Sequence, residues 1–426
     1  MAGQRILNSK LQTPLEQRQR QQRFMEPPPA GTVASLIDFG SNDTLSISSS
    51  RVLTRAFLAQ LDAHPNFIVG STSTRIFEGT SQYLDDIERD LARFHNAPAG
   101  LFFNSGFDAN VALWSTIPRP DDVVLHDEYI HASIHDGMRR GRAKTKMFAH
   151  NDLEDFRRCL EDIKHNHGLK EGKNVVFVAV ESFYSMDGDV VPIREMLEIS
   201  KQVLPQGNVV YSIDEAHSNG VIGPNGSGLV CHYGLEKEIG LRLHTCGKGL
   251  GSTGAVVLAS ETVRMAMINY SRNVVFSTAP SFVTVAAVRA GYELAASEEG
   301  EKRRQRLQQN TRYFQHRVAE HPKWAEVTAK GIIRIPASED WGSRSFETPI
   351  FALITPPGQA NELAEHIHAA GYWLDSVHYP IVPKDLSRVR LTVHADNTEE
   401  QIEGVVKTFM DWATRQLGQE RRQTKL

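Results

Sequence analysis

The sequence predicts an α/β protein with a mainly parallel central sheet, helices on both faces of that sheet, and a smaller C-terminal α+β domain. Short runs rich in β-branched residues alternate with helical stretches of roughly ten or more residues, which is typical of βα units. Five of these runs are followed within a few residues by a polar residue, as expected where a sheet edge carries a binding site. The predicted strands are Gly100–Phe103, Val123–Leu125, Val175–Val180, Val209–Ile213, Leu241–Thr245 and Gly254–Leu258.

A helix and an arm precede the sheet. Residues 4–24 are rich in Gln and Arg, and their apolar residues have helical spacing. A second helical stretch covers 50–63, and the Gly/Ser/Thr-rich segment 70–79 predicts a loop. The predicted domains are 1–50 for the N-terminal helix and arm, 51–285 for the large domain, and 286–426 for the small C-terminal α+β domain.

The predicted small domain begins with a long helix over 286–321. Strand-like runs follow at Ile350–Leu353 and Val389–Val393, with helical patterns near 360–370 and 398–417. This order of elements indicates an α+β unit joined to the sheet domain by the long helix.

Composition and charge indicate an ordinary globular protein. The 426 residues carry a formal net charge of −4, so we expect no partnership with nucleic acid or with a membrane surface. Three scattered cysteines predict no disulfide framework and indicate a reducing compartment. We see neither a leader peptide nor an apolar run long enough to span a membrane. The ending Thr424–Lys425–Leu426 resembles a peroxisomal signal, so we expect a cytoplasmic or peroxisomal location.

The polar residues that follow the predicted strands are candidates for one shared site. The carboxyl ends of parallel strands meet at the same edge of a sheet, where ligands bind. The residues in question are Asn104–Ser105–Gly106–Phe107, His126–Asp127, Glu181, Asp214 and Lys248.

Lys248 lies between two glycines, which would let a planar ligand approach the backbone. We hypothesise that its amine forms an imine with pyridoxal 5'-phosphate. Asp214 ends a buried strand and needs a cationic partner, which a protonated pyridine nitrogen would supply. His217 could reach the phenolic oxygen of the same ring. Taken singly, these residues also have ordinary structural explanations. Lys248 could be a lysine in a glycine-rich turn, and Asp214 with His217 could be a helix cap with a nearby surface histidine.

A phosphate site is predicted where the first strand passes into a helix. Ser105, Gly106 and Phe107 open that helix, whose free N–H groups can bind a phosphate. Thr245 and the pair Ser277–Thr278 offer hydroxyl groups, although ordinary turns and caps use the same residues.

His131 is the candidate for a ring that stacks on a planar cofactor. His131 and His135 could instead form a metal pair on one helix face, but no third ligand is evident and we expect no metal. Residues 249–254 match the dinucleotide pattern G-x-G-x-x-G. A β-like run follows them rather than the helix that this pattern requires, so we discount the match.

Taken in order, these residues resemble the α-oxoamine synthases, a group within the fold-type I pyridoxal-phosphate enzymes, and among them the fungal-type 8-amino-7-oxononanoate synthases. The resemblance covers most of the chain from Asn42 to about residue 410. It is carried by Asn104–Ser105–Gly106–Phe107 with Ala109–Asn110, His131–Ala132–Ser133, 148–152, Glu181 through Asp189, Asp214–Glu215–Ala216–His217, Thr245 through Gly249, Ser277–Thr278 and Arg388–Val389–Arg390.

The resemblance implies a role for each candidate residue. Lys248, His131, Asp214 and His217 would be catalytic and would hold the pyridoxal phosphate ring. The other cofactor-binding residues would be Ser105, Gly106, Phe107, Glu181, Ser185, Thr245, Ser277 and Thr278. Ser277 and Thr278 would reach across from a second subunit, which implies a homodimer with shared active sites.

The resemblance also implies the reaction, a decarboxylative condensation of an amino acid with an acyl thioester. Asn42 and Arg390 would bind the amino-acid carboxylate, and alanine with pimeloyl-CoA is the first choice of substrates. The sequence departs from the family at Thr44, Leu84 and His378, where the acyl group is handled, and we assign Leu84 and His378 to the substrate. The alternatives are a secondary-metabolism synthase that takes a polyketide chain from an acyl-carrier protein, an aminotransferase or lyase of the same fold, and a non-catalytic partner subunit.

Overall fold

The computed structural model describes residues 2–423 except 22, 25, 28–30, 32–34, 167–172 and 337. The C-terminal tripeptide Thr424–Lys425–Leu426 lies outside the described residues. The helices are α1 (Ala2–Arg20), α2 (Val52–Ala63), α3 (Gln82–Phe94), α4 (Gly106–Thr116), α5 (Ala132–Arg140), α6 (Leu153–Asn166), α7 (Ile193–Val203), α8 (Leu229–Tyr233), α9 (Glu261–Tyr270), α10 (Arg272–Val275), α11 (Phe282–Ala296), α12 (Glu298–Ala319), α13 (Trp324–Ala329), α14 (Ala360–Ala369) and α15 (Glu399–Gln423).

The strands form three sheets, and the largest contains seven strands. They are β1 (Ile37–Asp38), β2 (Ala99–Phe103), β3 (Val123–Asp127), β4 (Lys144–Phe148), β5 (Val176–Glu181), β6 (Val209–Asp214), β7 (Leu241–Thr245), β8 (Ala255–Ala259), β9 (Ile350–Ile354), β10 (Tyr372–Trp373), β11 (Asp375–Val377) and β12 (Arg388–Thr392).

The seven-stranded sheet has the order β2-β8-β7-β6-β5-β3-β4. Its strands from β4 to β7 pair in parallel, whereas β8 runs antiparallel to both β7 and β2. Every residue of β5 is buried, as expected where helices cover both faces. The predicted fold class is confirmed, and the carboxyl ends of β2, β3, β5, β6 and β7 share one edge.

The structure differs from the sequence-based prediction in the central sheet and in the long helix, and the short strands β10 and β11 were also not predicted. Strand β4 was not predicted, because its sequence is charged and mostly exposed at the end of the sheet. The single helix predicted over 286–321 is two helices, α11 and α12. Ser297 separates them, since its Oγ accepts a hydrogen bond from the Gly300 N–H at 3.3 Å and caps the start of α12.

The C-terminal part contains the antiparallel sheet β11-β12-β9. The N-terminal arm joins this part of the chain, because Ile37 and Asp38 of β1 pair with Tyr372 and Trp373 of β10. Helix α11 spans the predicted domain boundary at 285/286, so the three domain ranges stay predictions. Within the described ranges, no helix combines the length and the apolar character needed to cross a bilayer.

Two carboxylates hold His150 beside the sheet edge. Its Nδ1 lies 2.8 Å from Asp127 Oδ1, and its Nε2 lies 2.7 Å from Asp189 Oδ2. The Tyr129 ring stacks on the imidazole at 4.3 Å. Burial alone would lower the pKa of His150, but hydrogen bonds and charge from the two carboxylates outweigh burial and raise the pKa to about 10. The charged imidazole therefore ties the end of β3 to the turn after β5.

Replacing His150 with glutamine is expected to destabilise the fold near neutral pH by about 3 kcal/mol, as when one partner of a buried ion pair is removed. Because the folded pKa is raised, this contribution is complete below the unfolded pKa of about 6.5. It is lost as pH rises through about 10. Urea unfolding of both proteins at pH 6 and pH 10 measures the two differences. His165→Gln, at an exposed histidine of α6, is the control, and a difference that persists undiminished at pH 10 contradicts the prediction.

Candidate active site

Lys248 stands in the loop between β7 and β8, at the shared sheet edge. The loop is closed by hydrogen bonds from the Cys246 N–H to the Gly254 oxygen and from the Ser252 N–H to the Cys246 oxygen, both 2.9 Å. Gly254 has φ +84, and a Cβ there would lie 2.3 Å from a Phe102 ring atom. This glycine is therefore required for the turn that presents Lys248.

The Lys248 amine contacts a buried histidine. Lys248 Nζ lies 2.7 Å from His217 Nε2, and His217 is 6% exposed. Burial lowers the pKa of Lys248, while the charges of Asp214 and Glu181 oppose that effect. Burial, together with the charge of Lys248, also holds the pKa of His217 well below its ordinary value. The neutral forms of both groups are thus favoured relative to exposed side chains.

Asp214 ends β6 and lies in a chain of neutral hydrogen-bond donors. Asn110 Nδ2 donates to Asp214 Oδ2 at 2.9 Å, and the Ala216 N–H donates to Asp214 Oδ1 at 3.0 Å. Asn110 Nδ2 also lies 3.0 Å from Ser133 Oγ, which in turn lies 2.7 Å from His131 Nδ1. Because the Ser133 N–H also donates to His131 Nδ1, that nitrogen is an acceptor. The chain fixes the orientation of the His131 ring relative to Asp214.

Glu181 is paired with Asp214 across neighbouring strands β5 and β6. It is 3% exposed, and its Oε1 has no hydrogen-bond partner among the described residues. Burial raises the pKa of Glu181 well above its ordinary value, and the charge of Asp214 acts in the same direction. The neutral form of Glu181 is therefore favoured relative to that of an exposed carboxyl group.

The predicted phosphate site lies where β2 passes into α4. Helix α4 begins at Gly106, and Ser105 Oγ accepts from the Asp108 N–H at 3.0 Å. A Cβ at Gly106 would lie 3.2 Å from Thr245 Cβ and Oγ1, so glycine lets the helix start approach Thr245. The Phe107 ring is 45% exposed and lies edge-on to His131.

A cavity of about 860 Å³ brings together the amine and the predicted substrate groups. Lys248, His217, His131, Asn42, Ser185 and Arg390 all line it. Arg390 is 8% exposed; it donates to Ser185 O at 2.6 Å and to Asn42 Oδ1 at 2.9 Å. Burial lowers the pKa of Arg390 to about 10, and Asp375 partly offsets the effect. No described carboxylate forms an ion pair with Arg390, which leaves a buried cation facing the cavity.

Ten of the predicted site residues do not line this cavity. Six of them belong to the predicted cofactor site described above: Ser105, Gly106, Phe107, Thr245, Glu181 and Asp214. The other four are Ser277, Thr278, Leu84 and His378. Ser277 and Thr278 are exposed on a separate cavity of about 370 Å³, where Thr278 bridges to Thr74. Leu84 is 0% exposed and lies in an apolar cluster with Phe102, and its assignment to the substrate stays a prediction. The His378 ring bonds to Asn361 Oδ1 and approaches Ser387 Oγ instead, although residues 379–383 do line the cavity.

The sequence analysis did not identify the residues that connect Asp214 to His131 or those that form the cavity walls. Asn110 and Ser133 lie inside motifs that carry the family resemblance. Each is a polar residue on an otherwise buried helix face, and this pattern could have indicated that they take part in the site. Nothing local indicated that the rings of Tyr129 and Tyr184 and the side chain of Met186 would form cavity walls.

The described residues fit pyridoxal phosphate. Asp214 accepts only from neutral donors among the described residues, so a protonated ring nitrogen would supply its missing counter-charge. The Lys248 amine is the primary amine that an aldehyde requires, and the start of α4 offers free N–H groups to a phosphate. No group of three described metal-binding side chains is clustered anywhere.

Comparisons with known proteins agree with this geometry. The Aminotransferase class I and II family matches residues 34–409. The aminoacyl transferase sphA of Aspergillus fumigatus is 43% identical over 379 residues, covering 88% of this chain and 81% of that protein. The 8-amino-7-oxononanoate synthase of Emericella nidulans is 40% identical over 386 residues, covering 90% of each.

Among solved structures, a serine palmitoyltransferase from S. paucimobilis with a bound PLP–myriocin aldimine matches with a TM-score of 0.75. It covers 90% of this chain and 88% of that chain at 24% identity, and therefore supports the fold. The family match and the fungal relatives carry the assignment further: the chain belongs to the aminotransferase class I and II family and, within it, to the α-oxoamine synthases, which are acyltransferases dependent on pyridoxal phosphate.

Proposed function

We propose that this protein condenses an amino acid with an acyl thioester, releasing carbon dioxide and a thiol and forming an α-aminoketone. One observation carries the proposal: a partly buried amine, Lys248, and a buried cation without a contact ion pair, Arg390, line the same cavity. The first is suited to act as a base, and the second is suited to bind a substrate carboxylate.

Pyridoxal phosphate supplies an electron sink that stabilises negative charge on the α-carbon of the amino acid. Lys248, Asp214 and His217 would hold its ring, and His131 would lie against the face of that ring. The residues proposed to surround the rest of the cofactor are Ser105, Gly106, Phe107, Thr245, Glu181 and Ser185. Burial of Asp214 among neutral donors makes its charge available to the ring nitrogen.

Arg390 would orient the amino acid. Its guanidinium is fixed by Ser185 O and Asn42 Oδ1, so little side-chain entropy is lost when a carboxylate binds. A bound carboxylate would also supply the counter-charge that this buried cation lacks. We propose alanine as the amino acid on the strength of the family resemblance.

Lys248 would remove the α-proton. A base must be neutral to accept a proton, and burial lowers the pKa of the Lys248 amine toward that condition. His217, at 2.7 Å, keeps the amine within the cavity. The same amine is positioned to return a proton to the α-carbon after carbon dioxide leaves.

The acyl donor is proposed to be a thioester of coenzyme A or of an acyl-carrier protein. The E. nidulans relative is named for a product whose chain ends in a carboxylate, which would correspond to pimeloyl-CoA as the donor. A carrier-bound polyketide chain of secondary metabolism is the alternative. A peroxisomal location is proposed from the resemblance of Thr424–Lys425–Leu426 to a peroxisomal signal alone.

Release of free thiol tests the proposed reaction. Holoenzyme incubated with a panel of amino acids and acyl thioesters is expected to release one thiol per turnover, and only when both substrates are present. Formation of the amino form of the cofactor together with transamination of keto acids, without thiol release from any donor, would instead establish an aminotransferase.

We propose that the protein acts as a homodimer with shared sites. Ser277 and Thr278 do not line the Lys248 cavity of their own chain. Two large apolar side chains near them are exposed, Phe276 at 70% and Phe77 at 74%. Exposed apolar surface of this kind is typical of a protein interface, and a partner chain would bring the two hydroxyls to the other site.

Mixed dimers test this arrangement. Lys248→Ala and Thr278→Glu chains are each expected to be inactive as homodimers, because the second places a negative charge near the cofactor phosphate. Co-expressed, they should recover about a quarter of wild-type activity, since half of a random mixture is mixed and each mixed dimer has one complete site. Thr278→Gln, which adds no charge, is the matched control. If light scattering shows that the co-expressed chains form dimers but no activity is recovered, the proposal of shared sites is contradicted.

A further inference from the structure

The walls of the Lys248 cavity restrict the acyl donor. Building on the proposed acyl transfer, we infer that the acyl chain used by this protein ends in an apolar group rather than in a second carboxylate. Much of the cavity lining is apolar and includes Tyr129, Ile130, Met186, Ile381, Val382 and Pro383.

Each cation that lines the cavity is already paired with another side chain or is needed to bind the cofactor or the amino acid. Arg388 is 1% exposed and forms an ion pair with Asp187. Arg390 is held by Ser185 and Asn42 and is the group suited to the amino-acid carboxylate. Lys248 contacts His217 and is reserved for the cofactor and the proton transfer. Among the described lining residues, no cation is left for a carboxylate at the far end of an acyl chain.

The acids of the lining oppose such a carboxylate. Glu128 is exposed at the cavity and lies beside Tyr129, and Asp187 is already paired with Arg388. A carboxylate brought to the apolar wall would lose water without gaining a counter-charge, which is costly compared with a methyl group. A negative charge near Glu128 would add repulsion.

The loop at the cavity mouth presents apolar surface that an alkyl chain would cover. Ile381 is 55% exposed and Tyr379 is 40% exposed, and both line the cavity. The nearest cations on this loop and on the arm, Lys384 and Arg23, stack over the Tyr379 ring at 5.5 and 4.5 Å and stand outside the cavity lining. Each methylene that the wall removes from water should improve binding by up to about fourfold.

A pair of thioesters of equal chain length tests the inference. We expect the holoenzyme to bind heptanoyl-CoA at least about tenfold more tightly than pimeloyl-CoA, because only the second buries an unpaired carboxylate. Calorimetry without amino acid gives both Kd values, and kcat/KM from thiol release should show the same preference. Pantetheine thioesters of both acids repeat the comparison for a carrier-bound donor. Equal or tighter binding of the pimeloyl thioesters, or failure of all of these thioesters to bind, overturns the inference.

A variant should remove most of the preference. Ile381→Lys places a cation on the exposed part of the wall and is expected to improve pimeloyl-CoA binding relative to heptanoyl-CoA by about tenfold. Ile381→Gln, without the charge, should keep the wild-type preference. A preference left unmoved by the lysine overturns the placement of the acyl chain. Selective binding without thiol release from any donor would refute the proposed function and leave the inference about the wall intact.

Discussion

Replacing Lys248 with alanine is expected to reduce turnover by about 10⁴-fold, the upper range for loss of a positioned general base. The same change should remove the visible absorbance of covalently held pyridoxal phosphate, because no other described lysine lines the cavity. Absorbance spectra and thiol release from purified protein measure both effects. The cofactor should still bind through Asp214 and the start of α4, with weaker affinity.

The control for this variant is Lys237→Ala, which removes an exposed lysine after α8 and should leave both measurements unchanged. The alanine variant also loses the hydrogen bond between Lys248 and His217. Its folding is therefore checked independently of the two activity measurements. Retention of the covalent absorbance in the alanine variant would refute the assignment of Lys248. Loss of absorbance with full turnover would refute its role as the base.

Much of the sheet and of the candidate site was predictable because both depend on local signals. Each central strand is a short buried run that is followed by polar residues. Glu181, Asp214 and Lys248 could therefore be assigned to one sheet edge from the sequence. The Arg390 position followed from a motif. For Glu181, Asp214 and Arg390 the backbone direction of the strand determines where the side chain lies, and for Lys248 the end of β7 determines where its loop begins.

The remaining features depend on contacts between distant parts of the chain. Asn110 reaches Asp214 across 104 positions of sequence, and His150 reaches Asp189 across 39. His378 bonds to Asn361 and does not line the cavity that residues 379–383 line. Leu84 was assigned to the substrate from its family position, and its burial in an apolar cluster with Phe102 depends on such distant contacts.

Replacing Asp214 with asparagine is expected to lower turnover by about 10²–10³-fold, as when one preorganised electrostatic contact is removed. The amide removes the negative charge that is proposed to hold the proton on the ring nitrogen. It also places an N–H₂ group against either Asn110 Nδ2 or the Ala216 N–H, both of which are donors. A loss of stability of about 1–3 kcal/mol should therefore accompany the loss of activity.

Two further variants separate charge from structure. Ser133→Ala breaks the hydrogen-bond chain to His131 but leaves the Asp214 charge in place, so it should cost far less activity at a similar cost in stability. Glu181→Gln should also be mild, because the raised pKa of Glu181 already favours its neutral form, which glutamine imitates. If Glu181→Gln were as damaging as Asp214→Asn, the charge of the pair would be shared, and the assignment of the ring-nitrogen partner to Asp214 alone would be wrong. If the charge of Asp214 acts on the ring nitrogen as proposed, only Asp214→Asn should lose most of its activity. Its absorbance spectrum should still show bound cofactor.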